Sequence, residues 1–121
     1  MTPSEIVTQD AQNNGVDPQK VLQNALAQVN SGHTIMMQKN NSVLLVTRLG
    51  DGRAMLHLFT VDSPLTLRHS LADFINKIKA SEIKVVYGDT MNQQLLDLLK
   101  RVGVDVQKSN LPKFTWMAEV K

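Results

Sequence analysis

Histidine 57 is the residue of this chain best suited to proton transfer. It lies in an alternating apolar segment and shares a predicted strand face with Met55, Phe59 and Val61. Because an imidazole titrates near neutral pH, His57 could serve as a general base. No acidic residue stands near it in the sequence. A partly buried histidine that is hydrogen-bonded within a sheet is the simpler interpretation.

A polar turn follows this segment, and its side chains could bind an anion. Ser63 and Thr66 offer hydroxyl groups at the start of a predicted helix, and Arg68 adds a positive charge. Capping of the helix by Ser63 and a solvated Arg68 explain the same residues without a ligand.

A second strand-to-helix turn contains Asp89, Thr90 and Asn92, which could bind a ligand or cap the following helix. The histidines, at positions 33, 57 and 69, do not have the spacing of metal ligands, so we expect no metal site. The chain also lacks a Walker loop, a dinucleotide fingerprint and a Ser-His-Asp signature.

The length and composition of the chain restrict the classes of protein to which it can belong. The 121 residues predict one domain with a modest core. No apolar run is long enough for a membrane span, and the N-terminus does not resemble a secretory signal. The absence of cysteine excludes disulfides and thiolate chemistry, and it fits a reducing compartment. A net charge of +2 is only a weak basic bias.

The elements that position the candidate residues follow from apolar periodicity and turn residues. Polar residues 1–16 predict an N-terminal arm or a short helix, ahead of a single domain over 17–121. A helix begins at Asp17, a favourable N-cap, and ends at Gly32. Later helices are predicted at 64–80 and 91–102, and strands at 33–39, 42–48, 54–61, 83–87, 104–107 and 114–120.

The predicted order is α-β-β-β-α-β-α-β-β, which indicates the α/β (α+β) class. The third strand, its helix and the fourth strand form a right-handed crossover. We therefore expect a mixed sheet with an antiparallel front half, a parallel pair in the middle and helices on both faces.

This order resembles the fold of the GNAT (GCN5-related N-acetyltransferase) family without its first strand, over residues 17–121. The likeness is strongest at the end of the chain, in LLDLLKRVGVDVQKSNLPKFTWMAEV, which resembles the family's helix, glycine-apolar strand start and closing hairpin. The segments VDSP and YGDT are also similar to small proteins of this fold encoded by tailed bacteriophages.

The resemblance implies an acyl-coenzyme A site, but two of its chemical parts are missing. The family holds the pyrophosphate on backbone N–H groups of a Gln/Arg-x-x-Gly-x-Gly/Ala loop, which corresponds here to VDSPLTL. Neither glycine is present, Pro64 removes a donor, and Asp62 is expected to repel phosphate. The family's tyrosine general acid corresponds to Leu99, which cannot donate a proton.

Three functions stay open. The missing parts favour a non-catalytic GNAT-like protein that binds another protein, as a structural component of a tailed-phage virion or in the bacterial cytoplasm, with no cofactor. The first alternative is an N-acetyltransferase that uses acetyl-CoA with an atypical phosphate loop and His57 as base. Its cofactor contacts would be Thr60, Val61, Ser63, Thr66 and Arg68.

The second alternative is a weak nucleic-acid-binding accessory protein. Its basic residues would be Lys100, Arg101, Lys108, Lys113 and Lys121, although a solvated surface is the simpler interpretation. Trp116 is predicted to belong to the core or, alternatively, to anchor a protein interface.

Overall fold

The computed structural model describes residues 1–89 and 93–120. The helices are α1 (Pro3–Asn13), α2 (Pro18–Asn30), α3 (Pro64–Lys79) and α4 (Gln93–Arg101). The strands are β1 (Thr34–Lys39), β2 (Ser42–Gly50), β3 (Arg53–Thr60), β4 (Val85–Gly88), β5 (Gln107–Lys108) and β6 (Trp116–Glu119). Within these ranges, none of the helices is both long and apolar enough to cross a membrane.

The strands form one mixed sheet in the order β1-β2-β3-β4-β6-β5. β1, β2 and β3 pair antiparallel, β3 and β4 pair parallel, and β6 pairs antiparallel with both β4 and β5. The predicted mixed sheet, with its parallel pair in the middle, is confirmed.

Helices cover both faces of the sheet, as expected. α3 and α4 pack on one face, where Phe74 and Ile78 are buried with Leu98 and Trp116. α1 and α2 pack on the other face, over a smaller core of β2 and β3 residues. β2 is buried on both sides because its apolar residues alternate between these two cores.

Residues 3–13, for which the sequence left an arm or a helix open, form the helix α1. Thr2 and Glu5 make a capping box, in which the Thr2 side chain accepts from the Glu5 N–H and the Glu5 carboxylate accepts from the Thr2 N–H. Ile6 and Val7 are buried against the sheet. α1 therefore brings residues from the start of the chain next to β3.

The last two strands are shorter than predicted, and the turn that ends α4 explains part of the difference. The Gly103 N–H bonds to the Lys100 carbonyl and the Val104 N–H bonds to the Leu99 carbonyl, which is a Schellman motif. Because Val104 is used to end the helix, β5 begins three residues later than expected.

β3 and β4 pair over only three positions before they part. The parallel ladder joins Arg53 to Val85, Ala54 to Val86 and Met55 to Tyr87, and then stops. β3 continues to Thr60, while β4 ends at Gly88. The parting of these strands opens the middle of the sheet.

Candidate functional site

A cleft of about 850 Å³ lies where β3 and β4 part. Its walls include β3 residues 55–60, Gly88 at the end of β4, and side chains of α1, α3 and α4. Leu56 and Leu58 belong to the α3/α4 side of the sheet, whereas Phe59 belongs to the α1/α2 side. The cleft therefore reaches both faces of the sheet, and its volume falls in the range typical of small-molecule sites.

His57 lines this cleft from the α1/α2 side. It pairs in register with Leu45, and its ring stacks on Phe59 with 4.3 Å between centroids. The side chain is accessible to solvent at the surface of the cleft. The surrounding protein nevertheless desolvates the imidazole in part, and this desolvation lowers the pKa of His57 below 6.5. Asp10 and Asp89 oppose this shift with their negative charges. His57 is therefore neutral at pH 7 and can accept a proton.

Asp10 is the acidic neighbour of His57 that the sequence analysis missed. Its Oδ1 accepts a hydrogen bond from the Thr60 N–H at 3.1 Å. Partial burial raises the pKa of Asp10, against the opposing effects of the Thr60 N–H and the charge of His57. Helical spacing could have revealed it, because Asp10 lies four residues after buried Ile6 and one turn after buried Val7.

The backbone N–H groups at the end of β3 and in the turn after it donate hydrogen bonds to other atoms of the protein. The Thr60 N–H bonds to Asp10, the Val61 N–H bonds to the Asn41 carbonyl at 3.1 Å, and the Asp62 N–H bonds to the Thr60 hydroxyl at 3.1 Å. Thr60 lines the cleft and Val61 follows it in the chain, and the N–H groups of both are already engaged. The first half of the expected phosphate loop therefore has no free amide at these positions.

Asp62 has a structural role that the sequence analysis did not foresee. Its carboxylate accepts from the Asn41 N–H at 3.1 Å, the Ser42 hydroxyl at 2.6 Å and the Ser70 hydroxyl at 3.4 Å. Ser42 and Ser70 are fully buried. The carboxylate thus joins the β1–β2 hairpin to α3, and three donors share the negative charge that was expected to repel phosphate.

Ser63 is the N-cap residue of α3, as predicted, but its side chain does not cap the helix. Its hydroxyl donates instead to the Thr66 hydroxyl at 3.1 Å. The first-turn N–H groups of Leu65 and Thr66 receive no side-chain acceptor from Ser63 and have no acceptor within the helix. Arg68 is exposed one turn further along. These groups could hold an anion at the start of α3.

Leu99 lies in the wall of the cleft, at the position where the resemblance places a tyrosine. Its side chain is buried in the α3/α4 core and offers no proton. Trp116 is also buried in this core, as the first of its two interpretations predicted.

The second strand-to-helix turn is described only in part. Asp89 is exposed and lines the cleft. Thr90 and Asn92, and with them the cap that they were expected to form on α4, lie outside the described residues. In the part of the chain that is described, the structure contains no group of three potential metal ligands.

The predicted basic residues do not contribute to the cleft. Lys100 and Arg101 are exposed in the last turn of α4, and Lys108 and Lys113 are exposed further along the chain. Lys121 lies outside the described residues.

Comparisons with known proteins identify the fold. No family model and no curated protein matches this chain. A GNAT-family acetyltransferase from Staphylococcus aureus Mu50 superposes with a TM-score of 0.64 at 18% identity, over 98% of this chain and 93% of that one. Tetrahymena GCN5 gives a TM-score of 0.63 at 11% identity, over 98% and 84%.

A third solved structure contains a ligand. It is a Bacillus subtilis acetyltransferase in complex with CoA, which superposes with a TM-score of 0.51 at 11% identity, over 78% of this chain and 80% of that one. At these identities the likeness concerns the fold. This chain has the GNAT fold.

Proposed function

We propose that this protein binds acyl-coenzyme A in the cleft and transfers the acyl group to an amine. The observation that carries the proposal is the parting of β3 and β4 after Met55 and Tyr87, which opens a cleft to both faces of the sheet. The GNAT fold supports it, since one protein that shares the fold was solved with CoA.

The exposed edge of β3 suits the extended arm of coenzyme A. Beyond Met55, β3 has no β4 residue paired with it, so its backbone faces the cleft without a strand partner. An extended ligand that carries amide groups can bond to such an edge as an added strand does. Leu56 and Leu58 supply apolar contacts on the α3/α4 side.

The start of α3 is the candidate site for the phosphates. The N–H groups of Leu65 and Thr66 are not capped by Ser63, and the helix N-terminus favours negative charge. Arg68 adds a nearby positive charge. Because the Thr60, Val61 and Asp62 N–H groups are engaged, the phosphates would lie further along the chain than in a glycine loop.

His57 provides the base. The amine approaches from the α1/α2 side, where neutral His57 accepts a proton from its nitrogen. The nitrogen attacks the thioester carbonyl carbon, a C–N bond forms, the C–S bond breaks, and the electron pair leaves on sulfur. Leu99 cannot protonate this thiolate, so the thiolate takes a proton from water, and protonated His57 returns its proton to the hydroxide that forms.

The release of free thiol from acetyl-CoA in the presence of a panel of amines tests this function. We expect His57→Gln to slow the release by about 100-fold or more, which is the usual effect of losing a general base. His33→Gln is the matched control, because His33 is exposed and does not line the cleft. Thiol release at the wild-type rate by the His57 variant, or none with any amine, would refute the proposal.

A non-catalytic, protein-binding role is the second candidate. Two observations favour it: the N–H groups of Thr60, Val61 and Asp62 are engaged within the protein, and Leu99 stands where a proton donor is expected. The protein would then act in the bacterial cytoplasm or in a phage virion. Saturable binding of acetyl-CoA would argue against this role.

A further inference from the structure

The indole N–H of Trp116 is a buried donor without an acceptor in the described part of the chain. The side chain is only 5% exposed, and Nε1 has no hydrogen-bond partner within residues 1–89 and 93–120. A tryptophan N–H that is removed from water usually finds an acceptor. Because an indole can only donate, the missing partner must offer an acceptor atom.

Gly88 fixes the place of this donor. Trp116 pairs with Gly88 in the sheet, and its ring lies against the glycine. A Cβ at position 88 would overlap the indole atoms Cε2 and Nε1 of Trp116. Gly88 does not have a positive φ, so space for the ring is the reason for a glycine here.

Trp116 lies beside the cleft, next to the end of β4. Gly88 directly follows Tyr87, the last β4 residue of the parallel ladder, and both Gly88 and Trp116 line the cleft. Trp116 belongs to the α3/α4 side of the sheet, whereas His57 faces the α1/α2 side. A group held at this point would have a hydrogen-bond donor on one side and a base on the other.

We propose that the Trp116 indole N–H donates a hydrogen bond to the carbonyl oxygen of the acyl thioester. This inference rests on the proposed function and adds a residue to it. A carbonyl oxygen is the acceptor that an acyl thioester presents and that free coenzyme A lacks at that end. The oxygen gains negative charge as the amine attacks, and a fixed donor in a cleft with apolar walls stabilises that charge.

The chain offers a direct spectroscopic test. Trp116 is its only tryptophan, so a ¹⁵N-correlated proton spectrum contains a single indole N–H signal. Titration with acetyl-CoA is expected to move this signal clearly further downfield than titration with free CoA. An equal shift with both ligands would overturn the role of Trp116, even where both bind.

Affinity measurements on Trp116→Phe provide a second readout. The variant should lose about tenfold in affinity for acetyl-CoA relative to its affinity for CoA, as expected for one hydrogen bond. General damage to the cleft would weaken the binding of both ligands by the same factor, so it would leave the ratio of the two affinities unchanged. An unchanged ratio would overturn the inference and leave the proposed function standing, whereas failure of the wild-type protein to bind either ligand would overturn both.

Discussion

The turn after β3 and the point where β3 and β4 part both involve β3, yet their polar groups differ in whether they have hydrogen-bond partners. In the turn, Asp62 accepts from Asn41, Ser42 and Ser70, so its carboxylate is satisfied within the protein. At the parting point, the Trp116 N–H has no partner in the described chain.

The comparison separates groups that hold the fold together from groups that are free to bind a ligand. A satisfied buried network stabilises the structure and has little capacity left for a ligand. A buried donor without a partner costs stability, and beside a cleft it is suited to binding an acceptor. The resemblance predicts a phosphate site in the turn, whereas the unpaired donor lies at the parting point.

The largest effect is expected at the parting point, from Gly88→Ala. The added methyl group would overlap the Trp116 ring, and overpacking of this kind costs about 1–3 kcal/mol of unfolding free energy. Chemical denaturation measures the loss. A second change, Trp116→Leu, makes room for the methyl group, so the double variant should lose less than the sum of the two single variants. Simple additivity would show that the ring and the glycine are not in contact.

The next largest effect concerns the turn, where Ser42→Ala removes a buried donor from Asp62. We expect a loss of about 1–2 kcal/mol, because the carboxylate is left with an unmade hydrogen bond. Ser63→Ala is the matched control: an ordinary N-cap serine would cost about 1 kcal/mol, but the hydroxyl of this one caps no amide, so the change should be under about 0.5 kcal/mol. Equal losses of unfolding free energy in the two variants would mean that the hydrogen bonds to Asp62 do not stabilise the turn.

The smallest effect is electrostatic and concerns Asp10. Its carboxylate raises the pKa of His57, so Asp10→Asn should lower that pKa further below 6.5. A base works only when it is unprotonated, so the acid side of the rate profile should move to lower pH in this variant. Proton NMR of the imidazole signal measures the same pKa without any activity. Asp51→Asn, which removes an exposed carboxylate outside the cleft, should leave the pKa unchanged.

Local patterns predicted most of the fold. The capping residue Asp17, the continuous apolar run of β2 and the glycine at the end of α4 each act through neighbours in the chain. Their elements formed near the predicted places because such signals need no tertiary contact. The last two strands were shorter than predicted, and in β5 the turn that ends α4 includes the residue that was expected to begin the strand.

The site was harder to predict because its partners are distant in the chain. Asp10 meets Thr60 only after α1 has packed on the sheet. The unpaired state of the Trp116 N–H depends on how β6 lies against Gly88. His57 could be chosen from the sequence as a base, but its acidic neighbours could not. Residue type and spacing thus predicted the candidate residues, whereas the groups around them depend on the tertiary structure.

Equilibrium binding of acetyl-CoA, followed by the fluorescence of Trp116 and by calorimetry, tests the central claim most directly. The cleft between β3 and β4 predicts saturable binding of one ligand per chain in the micromolar range, with a change in the fluorescence of the single tryptophan. Gly88→Ala should weaken this binding. The absence of saturable binding up to millimolar acetyl-CoA, by both methods, would contradict the account.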